Sequence, residues 1–195
     1  MKNRSKKHFA RLALAVVAVV AMAAPAYAAE VDNSETEASI VFSAGELKLN
    51  SVPVLDFGAH QISHLEENYP AISVDPVIEV SDLRGNGIGW ELIVSLSPFE
   101  QETSGMPTLQ AASIQVNNPA VNPANSTVGV APTASEVILT SDDQSVRVWK
   151  AGMHEGMGVW HLKWNASDTI LNVKTGTAQE GKSVASLNWS LQSAP

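Results

Sequence analysis

Tryptophan recurs in this chain in a pattern that could bind a flat, carbon-rich ligand such as a sugar ring. Three segments have the form Trp-x-Leu: Trp90–Leu92, Trp160–Leu162 and Trp189–Leu191. Residues i and i+2 share one face of a β-strand, so each Trp and its Leu are predicted to lie together. Such a face either packs in a core or offers aromatic rings for stacking, and periodicity does not separate the two.

Acid–base chemistry has weaker candidates. Glu66 and Glu67, or Asp142 and Asp143, are adjacent carboxylates. Neighbours in sequence point to opposite faces of a strand, whereas glycoside hydrolysis needs two carboxyl groups flanking one bond. The chain also shows no nucleophile elbow and no recognisable Ser/His/Asp arrangement. The sequence therefore predicts that the protein is not an enzyme, and a hydrolase is the weakest of the functions considered.

Metal and cofactor sites are not predicted either. His60 and His64 have i, i+4 spacing, but no third ligand accompanies them. Asp142 and Asp143 are typical of a turn, since a calcium site needs more oxygen ligands at closer spacing. The chain contains no Cys, which excludes a disulfide scaffold and Cys-based zinc or iron–sulfur sites.

Charge is distributed unevenly along the 195 residues. The N-terminal segment 1–28 contains five of the 12 Lys and Arg side chains and no acidic side chain. The rest of the chain, from Ala29 to Pro195, therefore carries seven basic and 20 acidic side chains, a formal net charge of −13. Nucleic acids and anionic lipid surfaces bind basic proteins, so neither is a predicted partner.

The N-terminal segment 1–28 has the organisation of a secretory signal peptide. A basic start precedes the apolar run Leu12–Ala24, and Pro25 and Ala26-Tyr27-Ala28 follow it. Thirteen helical residues span about 20 Å, less than the ~30 Å hydrocarbon core, so cleavage after Ala28 is favoured over a membrane anchor. No other apolar run is long enough to be a transmembrane segment, and no wall-sorting signal precedes Pro195. We expect an exported protein without a covalent wall anchor.

The remaining chain is predicted to be all-β. Residues 29–38 are an expected acidic, flexible lead-in, and residues 39–195 an expected single β-sandwich or barrel-like domain of short antiparallel strands. We expect at most one helical turn, at 63–66, and a long polar loop at 117–127. The predicted strands are Ser39–Phe42, Leu47–Leu49, Val52–Phe57, Ile72–Val80, Trp90–Leu96, Ser113–Val116, Val137–Leu139, Val146–Trp149, Val159–Trp164, Ile170–Val173 and Val184–Leu191. The fourth is predicted to be an edge or bulged strand because Asp75-Pro76 interrupts it.

One glycine-rich segment joins two of these strands. Val80–Gly89 contains three glycines and directly precedes the Trp90 strand, whereas phosphate-binding loops precede a helix. A tight connection between strands is therefore favoured. Asp82 and Arg84 could pair or cap this turn, and they are candidate loop contacts to a ligand.

Several segments together resemble the WxL-domain surface proteins of Gram-positive bacteria. The two motif tripeptides begin at Trp90 and Trp189. The accompanying segments are LDFG at 55–58, HQIS at 60–63, VSDLRGNGIGW at 80–90, EGMGVWHL at 155–162 and LNWSLQSAP at 187–195. The resemblance runs from about Gly45 to the C-terminus.

This resemblance implies an exported protein that binds peptidoglycan non-covalently, often together with other surface proteins, and has no enzymatic activity. It makes Trp90, Leu92, Trp189 and Leu191 the predicted wall-binding motif. We expect the two tryptophans to be mainly structural and neighbouring loops to contact the wall. The alternative is an interaction or adhesion module that docks another surface protein and is retained on the wall indirectly.

Overall fold

Antiparallel strands account for nearly all regular structure in the computed structural model, which describes residues 35–194. The chain divides into two units between Val41 and Phe42. In the first unit, residues 35–41 have no regular secondary structure. The strands of the second are β1 Leu47–Ser51, β2 Val54–Asp56, β3 Glu67–Pro70, β4 Ser73–Asp75, β5 Ile78–Asp82, β6 Trp90–Leu96, β7 Glu100–Gln101, β8 Ser113–Val116, β9 Ala120–Pro123, β10 Thr133–Ala134, β11 Val137–Thr140, β12 Val146–Ala151, β13 Gly158–Lys163, β14 Thr169–Val173, β15 Ser183–Val184 and β16 Leu187–Ser193.

Within the described residues these strands form three four-stranded sheets. Sheet I has the order β1-β5-β13-β9, sheet II β10-β12-β6-β16, and sheet III β11-β8-β14-β3. The edges of sheets I and II meet twice, because β1 contacts β16 and β9 contacts β10. These contacts give sheets I and II a barrel-like arrangement. Two short ribbons, β2–β4 and β7–β15, complete the strand pairing.

Alternating apolar residues build one hydrophobic core shared by the three sheets. Along β6 every second residue is buried, as the sequence pattern predicts for a strand with one face on the core. Val80 from sheet I, Leu92 from sheet II and Ile114 from sheet III belong to the same buried cluster. The all-β prediction is confirmed. None of the helices in residues 35–194 is long and apolar enough to cross a membrane.

Several predicted elements differ from the structure. Ser39–Phe42 was predicted as a strand and is not one; pairing starts at Leu47. The predicted strand Ile72–Val80 divides at Asp75-Pro76 into β4 and β5, which lie in different sheets, because proline has no N–H to continue a ladder. The predicted loop 117–127 contains β9, which pairs with β13 at the edge of sheet I. No helical turn forms at 63–66, and the described helix is a single 3-10 turn, Ala166–Asp168.

Candidate functional site

The two terminal Trp-x-Leu segments lie side by side in sheet II. β6 carries the first and β16 the second, and the strands pair antiparallel along their whole length. Leu92 lies directly opposite Leu191, while Trp189 lies opposite Val94. Side chains at opposed positions lie on the same face of a sheet, so the two motifs face the same side.

Trp90 is a core residue. Its side chain is completely buried, and its ring meets that of Trp149 edge-to-face, with 5.0 Å between centroids. The indole Nε1 donates a hydrogen bond to the carbonyl oxygen of Gly156 at 3.2 Å. A Cβ at Gly156 would lie 2.9 Å from this nitrogen, and φ there is +65°, so glycine alone fits this contact. Trp90 therefore fixes the loop that precedes β13.

Trp189 has a different environment, although its tripeptide is similar. β16 is an edge strand, and its inward-facing residues Leu187, Trp189 and Leu191 are only partly buried. One partner of Trp189 is the buried ring of Trp164, 5.4 Å away and tilted by 41°. Part of the Trp189 side chain is therefore accessible to a ligand. The third copy, at Trp160, is buried, and its Nε1 donates to the Met157 carbonyl.

Arg84 ties the loop before β6 to the end of β16. Its guanidinium donates two hydrogen bonds to the Asp82 carboxylate, each 2.8 Å long, and Asp82 is buried. These bonds raise the pKa of Arg84 above its ordinary value. Arg84 Nη1 also donates to Ser193 Oγ at 2.7 Å, and the Ala194 N–H donates to the Gly89 carbonyl at 2.9 Å. The pairing predicted for Asp82 and Arg84 is thus present, and it holds the two motif strands in register.

Apolar side chains project from loops at the Trp90 end of sheet II. Leu83 and Ile88 are exposed on the loop before β6, and Met153 and Met157 on the loop before β13. The two loops are joined by a hydrogen bond from the His154 N–H to the Gly87 carbonyl. Exposed apolar residues on adjacent loops are typical of contact surfaces.

A large cleft opens where β16 of sheet II and β3 of sheet III lie at the edges of their sheets. Its volume is about 1000 Å³, at the upper end of the range for small-molecule sites. The floor is apolar and includes Leu96 of β6, Ile114 of β8 and Leu171 of β14. Trp189 and Leu187 form part of the β16 side.

Two chain segments border this cleft. The first is residues 52–62, called the strap here, which contains β2. His60 holds the strap in place, because its ring stacks on Tyr69 of β3 at 4.1 Å and its Nε2 lies 2.6 Å from the Phe57 carbonyl. The second segment runs from Ala178 into β16 and includes β15. We call the whole concavity the strap cleft.

The family comparison shows the family to which this chain belongs. The model of the family described as "WxL domain surface cell wall-binding" matches residues 23–195. The chain belongs to the WxL family. Binding to the cell wall at the cell surface follows as its general function. No curated protein and no solved structure gives a match.

The structure brings together the residues that the sequence singled out in this WxL domain. Trp90, Leu92, Trp189 and Leu191 lie on one face of sheet II, and Arg84 joins their strands. Asp82, the last residue of β5, and Arg84, on the loop before β6, lie at the opposite end of β6 from Leu96 and the strap cleft. The predicted cleavage residue Ala28 lies outside the described residues.

Sequence reasoning did not find the strap cleft. Its lining combines the strap, Tyr69, the segment from Ala178 and single residues of several strands. Two family-like segments were the signal in the sequence: LDFG lies within the strap, and HQIS begins in the strap and ends one residue beyond it. Without the fold, nothing connects them to Trp189.

Proposed function

We propose that the mature WxL domain is exported and binds peptidoglycan non-covalently in the strap cleft. The observation that carries this proposal is the position of the second motif: Trp189 is partly buried in the side of a concave site, whereas Trp90 is core. Binding sites in proteins are commonly concave, mainly apolar and supplied with a few polar groups. The strap cleft has these properties.

The proposed activity is binding without hydrolysis. The adjacent carboxylates considered for catalysis have structural partners instead. Glu66 accepts a hydrogen bond from Lys174 Nζ at 2.6 Å, and Asp142 accepts one from Thr140 Oγ1 at 2.6 Å. A carboxylate that caps a turn or pairs with lysine supports the fold. Release of soluble fragments from purified peptidoglycan by the protein would contradict this part of the proposal.

Export is proposed from the N-terminal segment 1–28. Cleavage between Ala28 and Ala29 would remove the basic and apolar segment and leave a strongly acidic domain. Intact-mass measurement of protein collected outside the cells should show a chain that begins at Ala29. A secreted species that retains Leu12–Ala24 would contradict the assignment.

A cleft-filling substitution tests the binding site directly. Ala178→Trp places an indole at a partly buried position that lines the cleft, and we expect it to abolish retention on purified peptidoglycan. Ala134→Trp in β10 is the matched control, because Ala134 is also partly buried against the core but does not line the cleft. Both variants are first compared by thermal melting. If both variants are folded and are retained equally on purified peptidoglycan, the strap cleft is not the binding site.

The alternative function, docking to another surface protein, is favoured by the exposed apolar loops around Leu83, Ile88, Met153 and Met157. Retention on crude walls but not on purified peptidoglycan would support it. A Met153→Ser/Ile88→Ser variant should then lose retention on crude walls, while Ala178→Trp should keep it. Under the peptidoglycan proposal the two variants behave in the opposite way.

A further inference from the structure

We infer that the strap cleft takes the peptide stem of peptidoglycan rather than its glycan strand, an inference that rests on the function proposed above. Three wall components differ in chemistry. Glycan strands are uncharged and rich in hydroxyl groups, and the accessory wall polymers are anionic. Peptide stems carry amides, alanine methyl groups, and both carboxylate and ammonium groups.

The charges of the cleft fit the stem. Asp56 on the strap and Lys182 on the opposite segment line the cleft, so it carries one acidic and one basic side chain. A ligand with one ammonium and one carboxylate complements both. An anionic polymer would need a basic surface. Lys182 already pairs with Glu102 at 2.6 Å, so the Asp56 carboxylate is the charge that an uncharged glycan would leave unmatched.

Some polar side chains of the cleft are already engaged within the protein. Asp56 Oδ1 accepts the Gly58 N–H at 2.8 Å, and Gln179 Nε2 donates to the Pro107 carbonyl at 3.5 Å. His60 Nε2 lies within hydrogen-bond distance of the Phe57 carbonyl. These contacts leave fewer side chains for a sugar, whose hydroxyl groups are each both donor and acceptor.

Aromatic stacking is also restricted. His60 covers one face of the Tyr69 ring, and Trp164 packs against Trp189. A sugar ring stacks on an open aromatic face, whereas a methyl group needs only apolar contact. The floor formed by Leu96, Ile114 and Leu171 supplies such contact for the methyl groups of alanine.

Backbone groups remain for the amides of the stem. Within the described residues, β16 pairs only with β6, and β3 pairs only with β14. The outer edge of each strand therefore presents N–H and C=O groups that no other strand satisfies. Peptide ligands commonly bind to such edges.

The test compares three probes on the same mature protein. These are intact purified peptidoglycan, glycan strands stripped of their stems by an amidase, and a synthetic stem tetrapeptide, L-Ala-γ-D-Gln-L-Lys-D-Ala. The amidase leaves a lactyl carboxylate at each cleaved stem, so all three probes are assayed at ~1 M NaCl, where the screening length is about 3 Å and repulsion from the acidic domain is suppressed. We expect retention on the first, at least tenfold weaker retention on the second, and saturable competition by the third. Stripped glycan that binds as well as intact material would overturn the stem assignment. Failure to bind intact peptidoglycan would instead overturn the proposed function, and the inference with it.

A pair of lysine variants tests the site. Lys182 and Lys174 each form an exposed ion pair of 2.6 Å, with Glu102 and Glu66, but only Lys182 lines the cleft. Lys182→Gln should weaken tetrapeptide competition by about two- to fivefold, the range of an exposed ion pair, and Lys174→Gln should leave it unchanged. Equal effects of both substitutions would contradict the inference. Such a result would assign the effect to overall charge.

Discussion

Replacement of Trp90 by alanine should destabilise the domain far more than replacement of Trp189. Trp90 is completely buried, so removal of its indole leaves a cavity beside Trp149, for which core substitutions cost about 3–5 kcal/mol. The Gly156 carbonyl also loses its donor. The total is a large part of the ~5–15 kcal/mol by which domains are stable.

The expected cost at Trp189 is lower because its side chain is only partly buried. Full burial of a large apolar side chain contributes about 1.5–3 kcal/mol, and roughly two thirds of that, about 1–2 kcal/mol, applies here. Trp189→Ala should therefore remain folded and still lose retention on peptidoglycan, because it removes part of the cleft. The two variants thus separate folding from binding.

Urea denaturation followed by far-ultraviolet circular dichroism measures both free energies of unfolding. For a domain of this size, 1 kcal/mol corresponds to about 2–4 °C in Tm, which gives an independent check by melting. Retention on peptidoglycan is then measured only for variants that are folded at the assay temperature. A Trp90→Ala variant within about 1 kcal/mol of the wild type would refute the assignment of Trp90 to the core.

Further predictions concern single contacts and the solution conditions. Gly89→Ala should lower the free energy of unfolding, measured with urea, by about 1–3 kcal/mol or more, because its Cβ would overlap the Ala151 carbonyl oxygen. Gly129→Ala meets no atom closer than 3.9 Å, so it should leave this free energy unchanged or raise it. Arg84→Met should cost about 3–5 kcal/mol of unfolding free energy, since it leaves the buried carboxylate beside it without its cation; a change below about 1 kcal/mol would contradict this account. Hydrogen bonds from His161 and, to a smaller extent, Asn50 lower the pKa of Glu79 below its ordinary 4.5. The ionised carboxylate therefore stabilises the fold above pH 4.5, and this stabilisation is lost as the pH falls through the lowered pKa. Glu79→Gln should therefore be less stable by under about 1 kcal/mol at pH 7, the range for a partly exposed pair, and the difference should vanish in acid. Retention on walls should hold steady or rise between low and moderate NaCl, because the −13 domain is repelled by anionic walls and salt screens repulsion; a steep fall in the presence of chelator would contradict it.

The sequence was most informative for strands with one buried face. β6 was predicted with its observed bounds because every second residue from Trp90 to Leu96 is apolar. Ser39–Phe42 has a similar composition but finds no partner strand, and strand formation depends on pairing that a local pattern does not encode. β9 was missed for the converse reason. It is only four residues long and includes an asparagine and a proline, which an edge strand tolerates.

The candidate site was less predictable than the fold. The Asp82–Arg84 pair was accessible from sequence because the two residues are close in the chain and opposite in charge. The strap cleft depends on a gap between β16 and β3, whose residues are more than a hundred positions apart. Such a gap depends on how the edges of two sheets are placed in space, and the spacing of residues in the sequence does not predict it.

The two motifs have similar sequences but different roles, because their strands have different neighbours. β6 lies between β12 and β16, so Trp90 is enclosed by structure on both sides and acts through packing. β16 is an edge strand, so the tryptophan at the same position of its motif retains accessible surface. The opposition of Leu92 to Leu191 and the Arg84–Ser193 hydrogen bond fix the register between them, and a slip of one residue would turn Trp189 away from the cleft. We therefore propose that the first motif contributes to binding through the second, because it holds the strand on which Trp189 is presented.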